Sequence, residues 1–171
     1  MRSLLALVAV MAAAAPAHAE VVSSAPNGFH IRHSVTVPAG ADSAYSAFAK
    51  VERWWNPQHS FSGDASRLSL ELTPGGCFCE RLAGGGIEHL RVTYVDKPKR
   101  LVLTGALGPL LFQAVTGVMD LKFEAVGEGT KVAMDYKAAG FAAGGADKIA
   151  APVDQVLVEQ MSRYAASARA Q

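Results

Sequence analysis

The sequence has no excess of either charge. Its 171 residues carry 16 Lys and Arg against 15 Asp and Glu. One basic residue, Arg2, falls in an N-terminal leader, which evens the balance. Nucleic-acid binding rests on clustered Lys and Arg, so that class is excluded. Cysteine is scarce as well, with Cys77-Phe78-Cys79 the whole complement. On a regular strand these two Cα atoms would sit about 6.6 Å apart with parallel Cβ vectors, too far for a bridge. The spacing therefore predicts two small apolar residues on one strand face, unless a bulge at Gly75-Gly76 changes it. Cys-x-Cys alone also lacks the remaining ligands of a closed metal site. His30, His33, His59 and His89 lack ligand spacing, so neither a metal nor a cofactor is expected. The glycines 84–86 are followed by no helix pattern and no lysine, which excludes a phosphate loop. A nucleophile elbow is missing too. Leu101 to Met119 contains no charge at all, a length that approaches a membrane span. Gly105, Gly108-Pro109, Gln113, Thr116 and Gly117 interrupt it, so it reads as a hairpin with an apolar tip, Ala106 to Phe112.

Met1-Arg2, the apolar run Leu4 to Ala15 and the small-x-small site Ala17-His18-Ala19 predict a secretory signal peptide over 1–19, cut before Glu20. A periplasmic or secreted location follows, where disulfides are permitted. Residues 20–28 read as a flexible lead-in. Residues 29–171 suit one domain, large enough to bury roughly two-thirds of its unfolded surface.

Within that domain the dominant pattern is the last one. From Pro152 to Ala168, Val153, Val156, Leu157, Gln160, Tyr164 and Ala168 share one face at helical spacing. Ile149 precedes them and Met161 lies at the edge. Pro152 suits a first turn. Before this helix the chain alternates with period two: Phe29, Ile31, His33, Val35 and Val37; Leu68, Leu70 and Leu72; Leu90, Val92 and Tyr94; Val115 to Phe123; and Val132, Met134 and Tyr136. A helix capped by Asp42 or Ser43 carries Tyr45, Phe48 and Val51 inward and runs into Trp54-Trp55. On Cys77 to Leu82, either Phe78, Glu80 and Leu82 face inward or the cysteines do. An inward Glu80 needs a cation, a hydrogen bond or water, or its pKa rises. One long helix after many strands needs a sheet to receive it, which predicts an α+β fold of about seven antiparallel strands curved around the helix.

Val35-x-Val37-Pro38-Ala39, Trp54-Trp55, Gly75-Gly76-x-Phe78-x-Glu80, Pro98-x-Arg100-Leu101-Val102-Leu103, Gly129-Thr130-Lys131-Val132 and Val153-Asp154-x-Val156-Leu157-x-x-Gln160 occur in that order. This ordered set resembles the helix-grip fold of the START-like (SRPBCC) superfamily. Its nearest branch looks like the bacterial proteins named after the cochaperone that activates the heat-shock ATPase. The resemblance implies an apolar cavity between sheet and C-terminal helix, used for lipid-like, sterol-like or polyketide-like molecules. It carries over no catalytic residues.

The expected function is an exported binding protein or carrier for a hydrophobic small molecule. Its lining would come from Trp55, Phe78, Tyr94, Met119, Met134, Tyr136, Leu157 and Met161, with Glu80, Asp154 and Gln160 as convergent polar groups. A competing reading is a cyclase-, isomerase- or hydrolase-type enzyme with Glu80 as base and Tyr94, His89 or Asp154 assisting. A third is a cochaperone-like interaction module. The apolar tip 106–112 either closes over the core or makes transient contact with a membrane surface.

Overall fold

The computed structural model describes residues 18–169. Its order is β1 (His18–Ala25), β2 (Gly28–Val37), α1 (Ala41–Ala49), α2 (Val51–Trp54), β3 (Leu68–Leu70), β4 (Cys77–Leu82), β5 (Gly85–Asp96), β6 (Arg100–Gly105), β7 (Val115–Val126), β8 (Gly129–Gly140) and α3 (Asp147–Arg169). The strands form one antiparallel sheet in the order β1-β2-β8-β7-β6-β5-β4-β3. α3 and the α1–α2 pair cover its inner face, which is the helix-grip arrangement. No helix among the described residues is long and apolar enough to cross a membrane. Most of the expected leader lies outside the described residues.

The eighth strand is β1. Residues 20–28 do not form a flexible lead-in: Glu20 to Ala25 pairs with Gly28 to Arg32 through its backbone, and Gly28 opens β2. An edge strand needs only main-chain partners, so its side chains need not alternate.

Where a strand is half buried, the expected alternation holds. β2 buries Phe29, Ile31, His33, Val35 and Val37. β7 buries Val115, Met119, Leu121 and Phe123 on its inner face, and β8 buries Val132, Met134, Tyr136 and Ala138. Gly117 on β7 leaves room for a neighbour, because a Cβ there would sit 2.8 Å from the Tyr136 ring.

Two local expectations need correction. Gly40, not Asp42 or Ser43, occupies the N-cap of α1, and Asp42 lies in the first turn. α3 begins at Asp147, so Pro152 is inside the helix rather than at its start. Lys148 and Ile149 close a tight first turn by donating to the Gly145 and Ala146 carbonyls. Pro152 then removes one donor from the ladder while its ring stays exposed.

The C-terminal half of α3 is sealed in the core. Leu157, Met161, Tyr164, Ala165 and Ala168 are buried, and the Tyr164 hydroxyl donates to the Ala44 carbonyl at 2.8 Å. Arg163 Nε donates to the Trp54 carbonyl at 2.8 Å. Tyr164 meets Phe48 and Trp54 edge to face and those two rings are tilted against each other, with centroids 5.1 to 5.7 Å apart.

Candidate functional site

The N-terminal half of α3 leaves the core open. Ile149, Val153 and Val156 are only half buried, and with Leu157 they form one wall of a cavity of about 460 Å³. The loop Gln58 to Phe61 forms a second wall beneath Trp55. The third is the connection between β6 and β7, where Gly108–Gln113 makes a short 3-10 helix. Its Leu107 and Leu110 are buried and line the space, whereas Leu111 and Phe112 face out. The apolar tip is therefore a lid with an exposed outer surface. Gln113 Oε1 accepts from the Ala143 N–H at 3.3 Å and the Ala114 carbonyl accepts from the Phe141 N–H at 3.3 Å, which ties the lid to the glycine-rich bridge 140–145.

The cavity lies at one end of the grip rather than midway between sheet and helix. Met119, Met134, Tyr136 and Met161 fill the middle and are core residues outside the lining. Burial pushes the Tyr136 phenol well above its ordinary value. Phe78 is also buried just behind the lining, 5.1 Å from the Trp55 ring. Of the expected lining, Trp55 and Leu157 do face the cavity.

Tyr94 does not reach it. β5 pairs Val92 with Leu103 but Tyr94 with Val102, so Thr93 is an extra residue. One inserted residue reverses the alternation beyond it. Tyr94 consequently turns outward, 48% exposed, with the Arg100 guanidinium 5.7 Å from its ring centroid. Asp154 also points elsewhere, its Oδ1 lying 2.9 Å from Nε2 of the fully buried His33.

A second bulge on β5 builds the polar end of the site. Phe78 pairs with Leu90 and Cys79 with Glu88, leaving His89 as the inserted residue. His89 and Leu90 are then both buried. Gly105 admits this kink, since a Cβ on it would sit 3.1 Å from the His89 carbonyl oxygen. The expected separation of the two cysteines fails in the same region. Their Cα atoms are 5.3 Å apart and the sulfurs are joined as a disulfide. Strand geometry at the bulge is compressed relative to a regular strand.

Glu80 faces inward and is 1% exposed. Its Oε2 accepts from the Phe61 N–H at 3.1 Å and lies 3.1 Å from His89 Nε2, while Oε1 accepts from the Ser62 N–H. Burial alone would raise the Glu80 pKa, but the donors from Ser62, Phe61 and His89 outweigh it and hold the carboxyl below 4.5. For His89, burial dominates the opposing pull of Glu80 and lowers its pKa below 6.5. The pair is thus a carboxylate beside a neutral imidazole. His89 lines the cavity; Glu80 stands behind it and fixes the loop that forms one wall.

Both depressed values have the same sign in linkage. The unfolded chain takes up protons at His89 and Glu80 more readily than the folded one, so their contribution is complete above about pH 6.5 and falls as pH falls. The His89 part is lost first, below its ordinary 6.5, and the Glu80 part below its ordinary 4.5. Urea midpoints should therefore fall more steeply from pH 7 to pH 5 for the wild type than for His89→Phe. Parallel pH profiles would contradict this assignment.

Gln160 is buried but does not line the cavity. Its Oε1 accepts from the Asn56 N–H at 2.8 Å, and neighbouring Glu159 accepts from the Asn56 side chain. This amide fastens the end of the helical segment to α3. Gln160→Leu leaves the Asn56 N–H unpaired and should cost roughly 1–3 kcal/mol in urea unfolding, while leaving occupancy of the cavity unchanged. A stable variant with altered binding would instead place this amide in the cavity.

From the sequence His89 enters only as an assisting group in the enzyme reading and not among the lining residues, because a bulge rather than a period turns it inward. The available signal was an inward carboxylate on β4 facing a lone histidine on the next strand.

The fold and site together define a helix-grip protein with a lidded apolar cavity. No family model matches the chain, and no curated protein matches it. Solved structures do. A protein from Rhizobium leguminosarum aligns with a TM-score of 0.60 at 18% identity, covering 84% of this chain and 97% of that one. CalU16 from Micromonospora echinospora aligns at 0.52 and 14% identity, covering 91% and 95%. DynU16, from the dynemicin biosynthetic locus, aligns at 0.55 and 19% identity, covering 80% of this chain and 46% of that one. At these identities the likeness is one of fold.

Proposed function

We propose that this chain is an exported binding protein or carrier for a hydrophobic small molecule, lipid-like, sterol-like or polyketide-like, of the START-like superfamily near its heat-shock-activator branch. The observation that carries this reading is the apolar cavity of about 460 Å³ between α3, the 58–61 loop and the lid. That volume lies in the usual range of small-molecule sites, roughly 300–1,000 Å³. Export rests on the leader pattern of residues 1–19. The test is native mass spectrometry of protein recovered from the periplasm. A retained apolar adduct that is lost in Val156→Trp, together with an N-terminus at Glu20, supports the reading. Cytoplasmic retention of the full chain contradicts export, and an adduct unaffected by Val156→Trp contradicts the cavity.

An enzyme reading is favoured by one observation, the His89–Glu80 pair at the cavity wall. In such an enzyme His89 would be the group facing substrate and Glu80 the group orienting it. Glu80 would not be the base itself, since it stands behind the lining with both oxygens engaged by protein donors.

A carrier of poorly soluble cargo must load somewhere, and the outer face of the lid suits a membrane surface. Phe112 is 71% and Leu111 46% exposed, with Phe61 6.0 Å from the Phe112 ring centroid and also exposed. Burying Leu111 and Phe112 in lipid would contribute about 1.5–3 kcal/mol each, enough for weak, reversible docking. In flotation with phosphatidylethanolamine–phosphatidylglycerol vesicles, wild type should float and Leu111→Asp/Phe112→Asp should not. A wild type that stays at the bottom removes the membrane role. Leu107 and Leu110 are unsuited to this test because both are buried.

A further inference from the structure

The disulfide closes a very short loop, Cys77-Phe78-Cys79. A cross-link stabilises mainly by restricting the unfolded chain, and least when its loop is short. The effect of this one is local, on the course of β4. A regular strand would put the two Cα atoms about 6.6 Å apart, whereas the bond holds them at 5.3 Å. The register shift between β4 and β5 falls between Phe78 and Cys79, inside the ring, and this shift is what inserts His89. On its other side β4 meets only β3, a short strand at the edge of the sheet. Beside its pairing to β5, the covalent bond is what keeps β4 contracted.

Both inward residues of this segment bear on the cavity wall. Phe78, within the ring, lies 5.1 Å from the Trp55 and His89 rings, and those two residues line the cavity. Glu80, one residue past the ring, accepts from the Phe61 and Ser62 N–H groups and meets His89. A change in the length of β4 between 77 and 79 therefore moves the carboxylate relative to the loop amides it holds.

The bond itself faces the other way. Phe78 and Glu80 are buried, and the cysteines that alternate with them are half buried on the outer face, which the helices leave uncovered. A carboxylate oxygen of exposed Glu88 lies within 4.8 Å of both sulfurs, and exposed Arg91 pairs with that carboxylate. Solvated charge rather than core thus borders the disulfide.

We propose that Cys77–Cys79 is a redox site, that it takes a dithiol as its reductant, and that its reduction releases the 58–62 wall of the cavity. One thiolate of the dithiol attacks a cysteine sulfur, breaking the Cys77–Cys79 bond and forming a mixed disulfide. The second thiolate then displaces that cysteine and closes the reductant into its own disulfide. The dithiol loses two electrons, and its two protons end on the Cys77 and Cys79 thiols. β4 can then relax toward a regular strand, and Glu80 loses its alignment with the Phe61 and Ser62 amides. The release acts on the wall whatever the cavity holds.

The experiment is hydrogen exchange on the full folded chain without denaturant, oxidised or treated with dithiothreitol. We expect the folded chain to gain the mass of two hydrogen atoms on treatment. The Phe61 and Ser62 amides should then exchange about tenfold faster, the equivalent of losing one net hydrogen bond. Amides of the β2–β8 pair, Ile31 and Tyr136 among them, should keep their oxidised rates. Cys77→Ser/Cys79→Ser should show the same local pattern without reductant; if it fails to fold, the reduced wild type still gives the answer. A disulfide that dithiothreitol reaches only after unfolding overturns the redox site. Unchanged Phe61 and Ser62 rates in the reduced chain overturn its coupling to the wall. Equal acceleration across β2 and β8 overturns a local release in favour of general destabilisation.

Discussion

Replacing Glu80 with alanine is expected to destabilise the protein by roughly 2–5 kcal/mol, since a buried donor left without its acceptor costs about 1–3 kcal/mol. Three donors lose their acceptor at once: the Phe61 N–H, the Ser62 N–H and His89 Nε2–H. His89 Nε2 is buried and the two loop N–H groups are part-buried, so the desolvation penalty of losing the acceptor is largest at His89. The damage should spread beyond stability. Phe61 and its neighbours form a cavity wall, and without Glu80 that loop has lost its tether to β4. Limited proteolysis should therefore cut between 57 and 67 faster in the variant. Glu80→Gln keeps an acceptor oxygen and the side-chain volume, and should be the milder change. A urea midpoint for Glu80→Ala equal to wild type would show that the carboxylate is not the hub of this end of the fold.

Leu157→Ala should cost about 2–5 kcal/mol, the usual range for emptying a buried leucine site. Leu157 is 1% exposed and occupies the point on α3 where the sealed core gives way to the cavity. The void left by the truncation would adjoin existing open space rather than collapse. The change should also enlarge the cavity and loosen its grip on small probes. A loss below about 0.5 kcal/mol, typical of surface substitutions, would place this face of α3 in solvent and contradict the helix-grip arrangement.

Much of this architecture was legible in the sequence because half-buried antiparallel strands alternate with period two and α3 carries one apolar stripe. Phe29 to Val37, Val115 to Phe123 and Val132 to Tyr136 face as their patterns require. What escaped the pattern has specific causes. Thr93 is an inserted residue, so Tyr94 breaks period and turns outward. His89 is inserted likewise and turns inward, bringing the key polar group of the site into place. β1 escaped because edge pairing is a backbone property. The cavity was expected in the middle of the grip, yet Met119, Met134, Tyr136 and Met161 close that space. Whether side chains from three separate elements interlock or leave a gap depends on tertiary packing, which no local period records. Gln160 was expected as a polar group of the cavity, but it lies outside the lining and its Oε1 accepts from the Asn56 N–H instead.

The binding function turns most directly on where a small apolar molecule enters the folded protein. Amide chemical-shift mapping during titration with 2-naphthol answers this. Saturable perturbations confined to the 58–61 loop, His89, the lid at 107–113 and residues 149–157 of α3 are the expected result. Perturbations centred instead on Met119, Met134 and Tyr136, or spread over the outer face of the sheet, would contradict a lidded binding cavity at this end of the grip.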